Sequence, residues 1–308
     1  IRQMITVLSP AKKLSKECIK KTENYNVPRF LDQSSVLVSQ LKDMEPGDLM
    51  SLMGISENLA ILNWERMQNW NSSLKSESSM ESAYCFLGDT YTGLDAESLD
   101  DNDMDFAQKH TRILSGLYGI LRPLDLMMPY RLEMGTKLKN KFGKDLYEYW
   151  GDTLSNSISE ELGNHQHNVV INCASIEYFR SIDRPSLSAE VITPQFKEYK
   201  NGKLKMISFF AKRARGMMAR YIIQNKINVV SFYQLVLCIF EDSADIYENA
   251  VSERPYVNDP SQLNGLIYHC IEYPNELSNL RIEAIEKYLY KNDGKASIRL
   301  IDEIESKL

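Results

Sequence analysis

The segment at 113–135, ILSGLYGILRPLDLMMPYRLEMG, constrains the fold more than any other stretch of this chain. Gly116, Gly119, Pro123 and Pro129 punctuate it at intervals no continuous helix tolerates. Glycine supplies backbone angles that other residues avoid, and proline lacks a donor and ends a helix. The residues between them are apolar or aromatic, so the segment reads as buried turns rather than a linker. These turns fix Arg122 and Arg131 beside Tyr118 and Tyr130. A short apolar hairpin with exposed backbone amides is one way to hold a phosphate.

The flanks read as helical, with one helix ending near Leu114 and another starting after Pro123. Helix, glycine hairpin, helix is the form of a helix-hairpin-helix element, whose amides contact DNA phosphates without reading bases. The spacing departs from the usual one: two residues separate the glycines where the common hairpin has one, and no proline precedes Gly116. Lys137, Lys139, Lys141 and Lys144 follow the segment.

The net charge of −6 excludes a generic polyanion binder, but the charge is unevenly spread. Residues 227–308 hold 7 basic and 14 acidic side chains, whereas 197–226 hold 9 Lys or Arg against one Glu. A basic segment in a neutral body points to an anion such as a phosphate backbone. The alternative is a solvated basic helix face. The helix expected at 211–226 carries Lys212, Arg213, Arg215 and Arg220, with Lys212, Arg215 and Ala219 on one face. The small residues Ala214, Gly216 and Ala219 allow a backbone or ligand to approach closely.

Apolar runs at 4–8, 83–87, 168–172, 190–198 and 203–209 read as strands, the last two joined at Asn201-Gly202 as a hairpin. Helices are expected at 28–40, 46–53, 57–70 and 144–162, and the acidic run 95–105 opens another that leads to His110. The result is a mixed α/β (α+β) class with at least one antiparallel hairpin. Polar residues follow several expected strand ends. Lys12, Asp89, Tyr91, Ser175 and Glu177 are therefore candidates for a pocket, with Asp89, Glu177 and Ser175 the catalytic candidates. An Asp beside Gly is also a common turn cap.

The five cysteines, Cys18, Cys85, Cys173, Cys238 and Cys270, are scattered and form no CxxC pair, which suits buried thiols in a reducing compartment. The four histidines make no metal signature, so no metal or cofactor is expected. The longest apolar run, 229–240, is shorter than the ~20 residues of a spanning helix, and no signal peptide is visible. Met4 is a candidate natural start, the alternative being that the chain is a fragment.

The punctuated segment, read with its neighbours, is similar to the signature of the YaaA family (the DUF328/UPF0246 group) of peroxide stress proteins. The resemblance also takes in LSPAK at 8–12, GDTYTGL at 88–94, KDLYEYWGD at 144–152, VVINCASIEYF at 169–179 and ISFFAKRARGMMARYII at 207–223. It implies a single compact domain over 1–228 with a mixed sheet, a cytosolic location and DNA binding through a helix-hairpin-helix-like element. It also implies a link to keeping unincorporated iron low. After Asn228 the resemblance stops, and 229–308 reads as a divergent acidic tail with two helices.

Three functions follow. The first is a DNA-binding stress protein that contacts duplex or distorted DNA without sequence preference. Gly116, Tyr118, Gly119, Arg122 and Arg131 would position phosphates, and Lys212, Arg213, Arg215 and Arg220 would supply charge. The second is an enzyme acting on a nucleotide or nucleic acid, with Lys12 and Tyr91 in its pocket. No nucleophile motif, Walker loop or metal triad specifies a reaction. A binding protein for a small anionic metabolite is the third possibility. Convergence of these groups in a deep pocket favours the enzyme; spread over an open basic surface favours DNA binding.

Overall fold

The first apolar run forms β1 (Met4–Leu8), buried along its whole length in the middle of a five-stranded sheet. A strand covered on both faces needs this kind of near-continuous apolar sequence, broken here only by Thr6, rather than alternation. The computed structural model describes residues 4–15, 21–74, 77–163, 168–196, 198–200, 203–205 and 208–227.

From β1 the chain makes a short strand β2 (Lys13–Leu14) and then α1 (Leu31–Lys42), α2 (Pro46–Met53) and α3 (Glu57–Asn69). Pro46 opens α2 inside a capping box made by Glu45 and Asp48. Next come β3 (Met80–Glu81), α4 (Ser82–Cys85), β4 (Phe86–Leu87), α5 (Asp89–Leu94) and α6 (Asp101–His110). The Asp100 side chain caps α6 by accepting from the Asp103 amide at 2.7 Å, and acids fill the first turn as expected.

The chain returns to the sheet as β5 (Thr111–Ser115) and β6 (Gly119–Leu121), followed by β7 (Leu126–Met127), α7 (Leu146–Trp150) and α8 (Thr153–Leu162). It then forms β8 (Val169–Cys173), α9 (Ile176–Phe179), β9 (Glu190–Ile192), β10 (Glu198–Lys200), β11 (Lys203–Lys205) and α10 (Ser208–Gln224). The main sheet has the order β6-β5-β1-β8-β9. β1 pairs in parallel with β5 and β8, β8 pairs in parallel with β9, and β6 is an antiparallel edge. This is the mixed α/β class read from the sequence. The hairpin expected around Asn201-Gly202 appears as the antiparallel pair β10–β11. Among the described residues, no helix is long and apolar enough to cross a membrane.

The punctuated segment is strand–turn–strand and not helix–hairpin–helix. Residues 111–115 pair with β1 through Thr6↔Thr111 and Leu8↔Ile113, so long-range pairing overrides the local helical reading. Ser115↔Gly119 closes the turn, and Gly119 takes a left-handed φ of 68°. After Pro123 the chain turns into β7 rather than a helix.

Two further expectations are corrected. Residues 82–85 form a helical turn, held by Ser82 and Ala83 amides donating to the carbonyls of Asp125 and Pro123. The helix expected over 144–162 breaks at Gly151, whose φ is 49°. The 229–308 tail, Cys18, Cys238, Cys270, His165, His167 and His269 lie outside the described residues.

Candidate functional site

The β1–β8 register aligns Leu8 with Cys173, so their carboxyl ends emerge side by side. From β1 the chain crosses to β5 on one side, and from β8 it goes to β9 on the other. Connections that diverge in this way open a crevice at the strand ends, the usual ligand position in open α/β sheets. Ser9 and Ser175 span it. The Ser175 amide donates to Ser9 Oγ at 2.8 Å, and the two hydroxyls lie 3.3 Å apart. Ser175 in turn caps α9 by accepting from the Tyr178 amide at 3.5 Å.

A cavity of about 440 Å³ lies over these serines. Five structural pieces contribute to it: the loop after β1 with Lys12 and Lys13, the start of α5 with Asp89, the 130–133 arm with Arg131 and Glu133, the entry to α9 with Ser175 and Glu177, and α10 with Lys212 and Arg215. The fold thus brings together Lys12, Asp89, Arg131, Ser175, Glu177, Lys212 and Arg215, as the pocket reading of the sequence requires. The lining carries five cationic side chains against three carboxylates, which favours an anion in a partly enclosed space.

The charges are organised around Glu133. Its Oε1 lies 3.0 Å from Arg131 Nη2 and 3.4 Å from Lys12 Nζ. Arg131 Nε is buried with no hydrogen-bond partner among the described residues. The Gly135 amide donates to Glu177 Oε1 at 3.0 Å and fixes that carboxylate. The side chains of Asp89, Lys212 and Arg215 make no hydrogen bond or ion pair among the described residues, so an acid and two cations share the cavity without pairing with one another. Burial pushes the Tyr130 and Tyr178 phenols up, keeping them neutral donors at the cavity wall. It also pushes the Cys173 thiol up to about 12, against the opposing pull of Arg215.

The remaining site residues named from the sequence lie elsewhere. Tyr91 is buried beneath the cavity, where its hydroxyl donates to the Ser9 carbonyl at 3.0 Å and steadies the β1 exit. Tyr118 is wholly buried; its hydroxyl accepts from Trp70 Nε1 at 2.8 Å and from the Met128 amide at 3.0 Å. It therefore cannot touch a phosphate. Gly116 and Gly119 are buried as well, with the Gly116 carbonyl accepting from Trp150 Nε1 at 3.1 Å. Arg122 is committed to Asp125, its Nε donating to Oδ1 at 3.0 Å. Arg220 donates to the Leu94 and Asp95 carbonyls at 3.0 and 2.8 Å and closes the end of α5. Arg213 is exposed and outside the cavity lining.

Sequence reasoning missed Ser9 and Glu133. Ser9 was legible as the first polar residue after a buried strand. Glu133 was legible as the second residue beyond Arg131, on the same side of an extended segment.

Known proteins resemble this chain over most of its length. The model of a family described as peroxide stress protein YaaA matches residues 4–236. A UPF0246 protein of Burkholderia orbicola (strain MC0-3) is 45% identical over 260 residues, covering 81% of this chain and 100% of the relative.

Proposed function

Because this chain belongs to the peroxide stress protein YaaA family, we propose that it acts in peroxide stress by binding DNA through phosphate contacts, without sequence preference. Through that binding it helps limit iron-dependent damage, an indirect route that needs no resident metal. The observation that carries this reading is the cationic excess at the sheet's carboxyl edge, where Lys12, Arg131, Lys212 and Arg215 meet and Lys12 stands 69% exposed at the rim; their convergence in one cavity counts instead for the enzyme reading below. Arginine forks and lysine ammoniums are the groups that grip phosphate oxygens. The phosphate contacts are assigned to these four residues and not to the glycine turn, which the fold buries.

A second reading, an enzyme acting on a nucleotide or nucleic acid, is favoured by one specific feature. Asp89 lines the same cavity as Lys212 and Arg215 without pairing with either. An unpaired carboxylate beside phosphate clamps is placed to take a proton or orient water.

The test is binding of duplex and branched DNA across a salt series, with wild type and Lys212→Ala/Arg215→Ala. Tight binding that falls steeply with salt and weakens in the double variant is expected. Absence of binding by the wild type at low salt would sink the DNA reading. Turnover of DNA or nucleotides that disappears in Asp89→Asn would establish the enzyme.

A further inference from the structure

The cavity and its rim carry more detail than general phosphate binding needs. Its volume of about 440 Å³ falls in the ~300–1,000 Å³ range of sites that enclose a single small ligand. Its charges are graded in depth: the Lys12 side chain is 69% exposed, whereas those of Arg131 and Glu133 are 17% and 16% exposed. A phosphate on an intact duplex can meet the outer cations, but a stacked base cannot reach the inner wall unless its nucleotide leaves the stack.

The rim is apolar where a purely electrostatic site would be polar. Ile176 is 89% exposed and stands between Ser175 and Glu177, both of which line the cavity. Its carbonyl accepts from the Arg180 amide at 3.1 Å, and the preceding Ser175 is held by its amide on Ser9 Oγ and by the Phe179 amide on its carbonyl at 2.8 Å. At the start of α10, outside the cavity lining, Phe209 and Phe210 are 51% and 47% exposed and meet edge to face at 5.4 Å. They precede Lys212 by less than a turn of α10. A single exposed apolar side chain is ordinary. One fixed at the lip of a charged cavity, between two residues that line it, has the chemistry of a wedge that replaces a lost stacking neighbour.

We infer that the cavity receives one nucleotide swung out of a DNA strand, its phosphate on Lys12, Lys212 and Arg215, while Ile176 takes the vacated place in the stack. Asp89 is the acceptor left for a base N–H, and the Tyr178 ring supplies an apolar wall. The inference rests on the DNA-binding reading above and deepens it. The shared ligand chemistry is a nucleoside monophosphate unit, which is also offered by a free nucleotide.

The experiment uses the full chain and a duplex carrying 2-aminopurine, whose fluorescence is quenched while stacked, with binding followed separately by anisotropy. Wild type should raise the fluorescence by about threefold or more at saturation, as unstacking predicts. Ile176→Ala should lose most of that rise while its affinity for the duplex stays within about threefold, because the phosphate contacts remain. Saturated binding with the base still quenched would overturn the inference and leave the DNA reading standing. No binding would overturn both. Tight binding of 2′-deoxyadenosine monophosphate with a quenched duplex would assign the cavity to a free nucleotide and also overturn extrusion.

Discussion

Gly216 of α10 rests directly on the Thr90 carbonyl of α5: a Cβ at Gly216 would stand 1.8 Å from that oxygen. The contact is reciprocal, since a Cβ at Gly93 would stand 2.2 Å from the Arg213 carbonyl. Two helices that touch backbone to backbone cannot slide, so Lys212 and Arg215 are set over the same cavity as Asp89. Gly216→Ala should therefore destabilise the fold by about 3 kcal/mol, the upper range for overpacking a tight contact. Urea denaturation measures it; a loss below about 0.5 kcal/mol would mean that the helices can separate at little cost.

Tyr118 tests the reassignment of the glycine turn from phosphate site to core. Tyr118→Phe leaves Trp70 Nε1 and the Met128 amide without their acceptor. Each buried unsatisfied donor costs about 1–3 kcal/mol. The variant should lose stability by about 2 kcal/mol or more while its DNA affinity and salt slope stay unchanged when assayed folded.

Arg215 and Arg122 should separate in the same way. Arg215→Ala should weaken DNA binding and reduce the slope of log affinity against log salt by about one. Arg122→Ala should leave that slope intact. It removes the guanidinium from Asp125, which is 1% exposed and keeps only the residue 122 amide at 2.8 Å from that residue, and should cost about 3 kcal/mol of stability. Equal slopes for Arg215→Ala and wild type would remove Arg215 from the phosphate site.

Acid sensitivity should concentrate at Glu161. Burial alone would raise its carboxyl, but bonds from Arg112 and Arg29, at 2.9 and 2.7 Å, overcome this and hold it below the ordinary value. A carboxyl lowered by folding contributes stability above its unfolded pKa, about 4.3, and loses it as pH falls through the folded value. Glu161→Gln should cost about 3 kcal/mol at pH 7 by leaving Arg112 unpaired. The difference from wild type should shrink below about pH 4, as wild-type Glu161 protonates. Chemical denaturation as a function of pH checks both statements.

Cys173 lines the cavity, yet it should not serve as a peroxide sensor. Burial pushes its thiol up to about 12, so almost no thiolate exists at neutral pH. A disulfide reagent should label it only on the timescale of unfolding, read by mass spectrometry of the Cys173 peptide. Rapid labelling of the folded protein would overturn this.

The sequence by itself determined the local elements and the family. MITVL and VVINC are each apolar at four of five positions and became buried strands. Pro46 and the acidic run 95–105 marked the starts of α2 and α6 through chemistry confined to one turn. The polar residues after those strands, Lys12, Ser175 and Glu177, were legible as site candidates because a strand end must deliver its next residues to a sheet edge.

Only the tertiary structure decided which cations belong to the site. Lys212 and Arg215 lie about 60° apart around the helix, and Arg215 and Arg220 about 140° apart, so periodicity predicts separate faces. It does not say which face meets the cavity; the Gly93–Gly216 crossing does, turning Arg215 inward and giving Arg220 to the end of α5. The same applies to the glycine turn, where pairing with β1, more than a hundred residues away in the chain, made strands of a segment whose local pattern suited helices. Periodicity and capping act within a few residues, whereas the partner of a helix face or strand edge is set by contacts the chain makes only once it is folded.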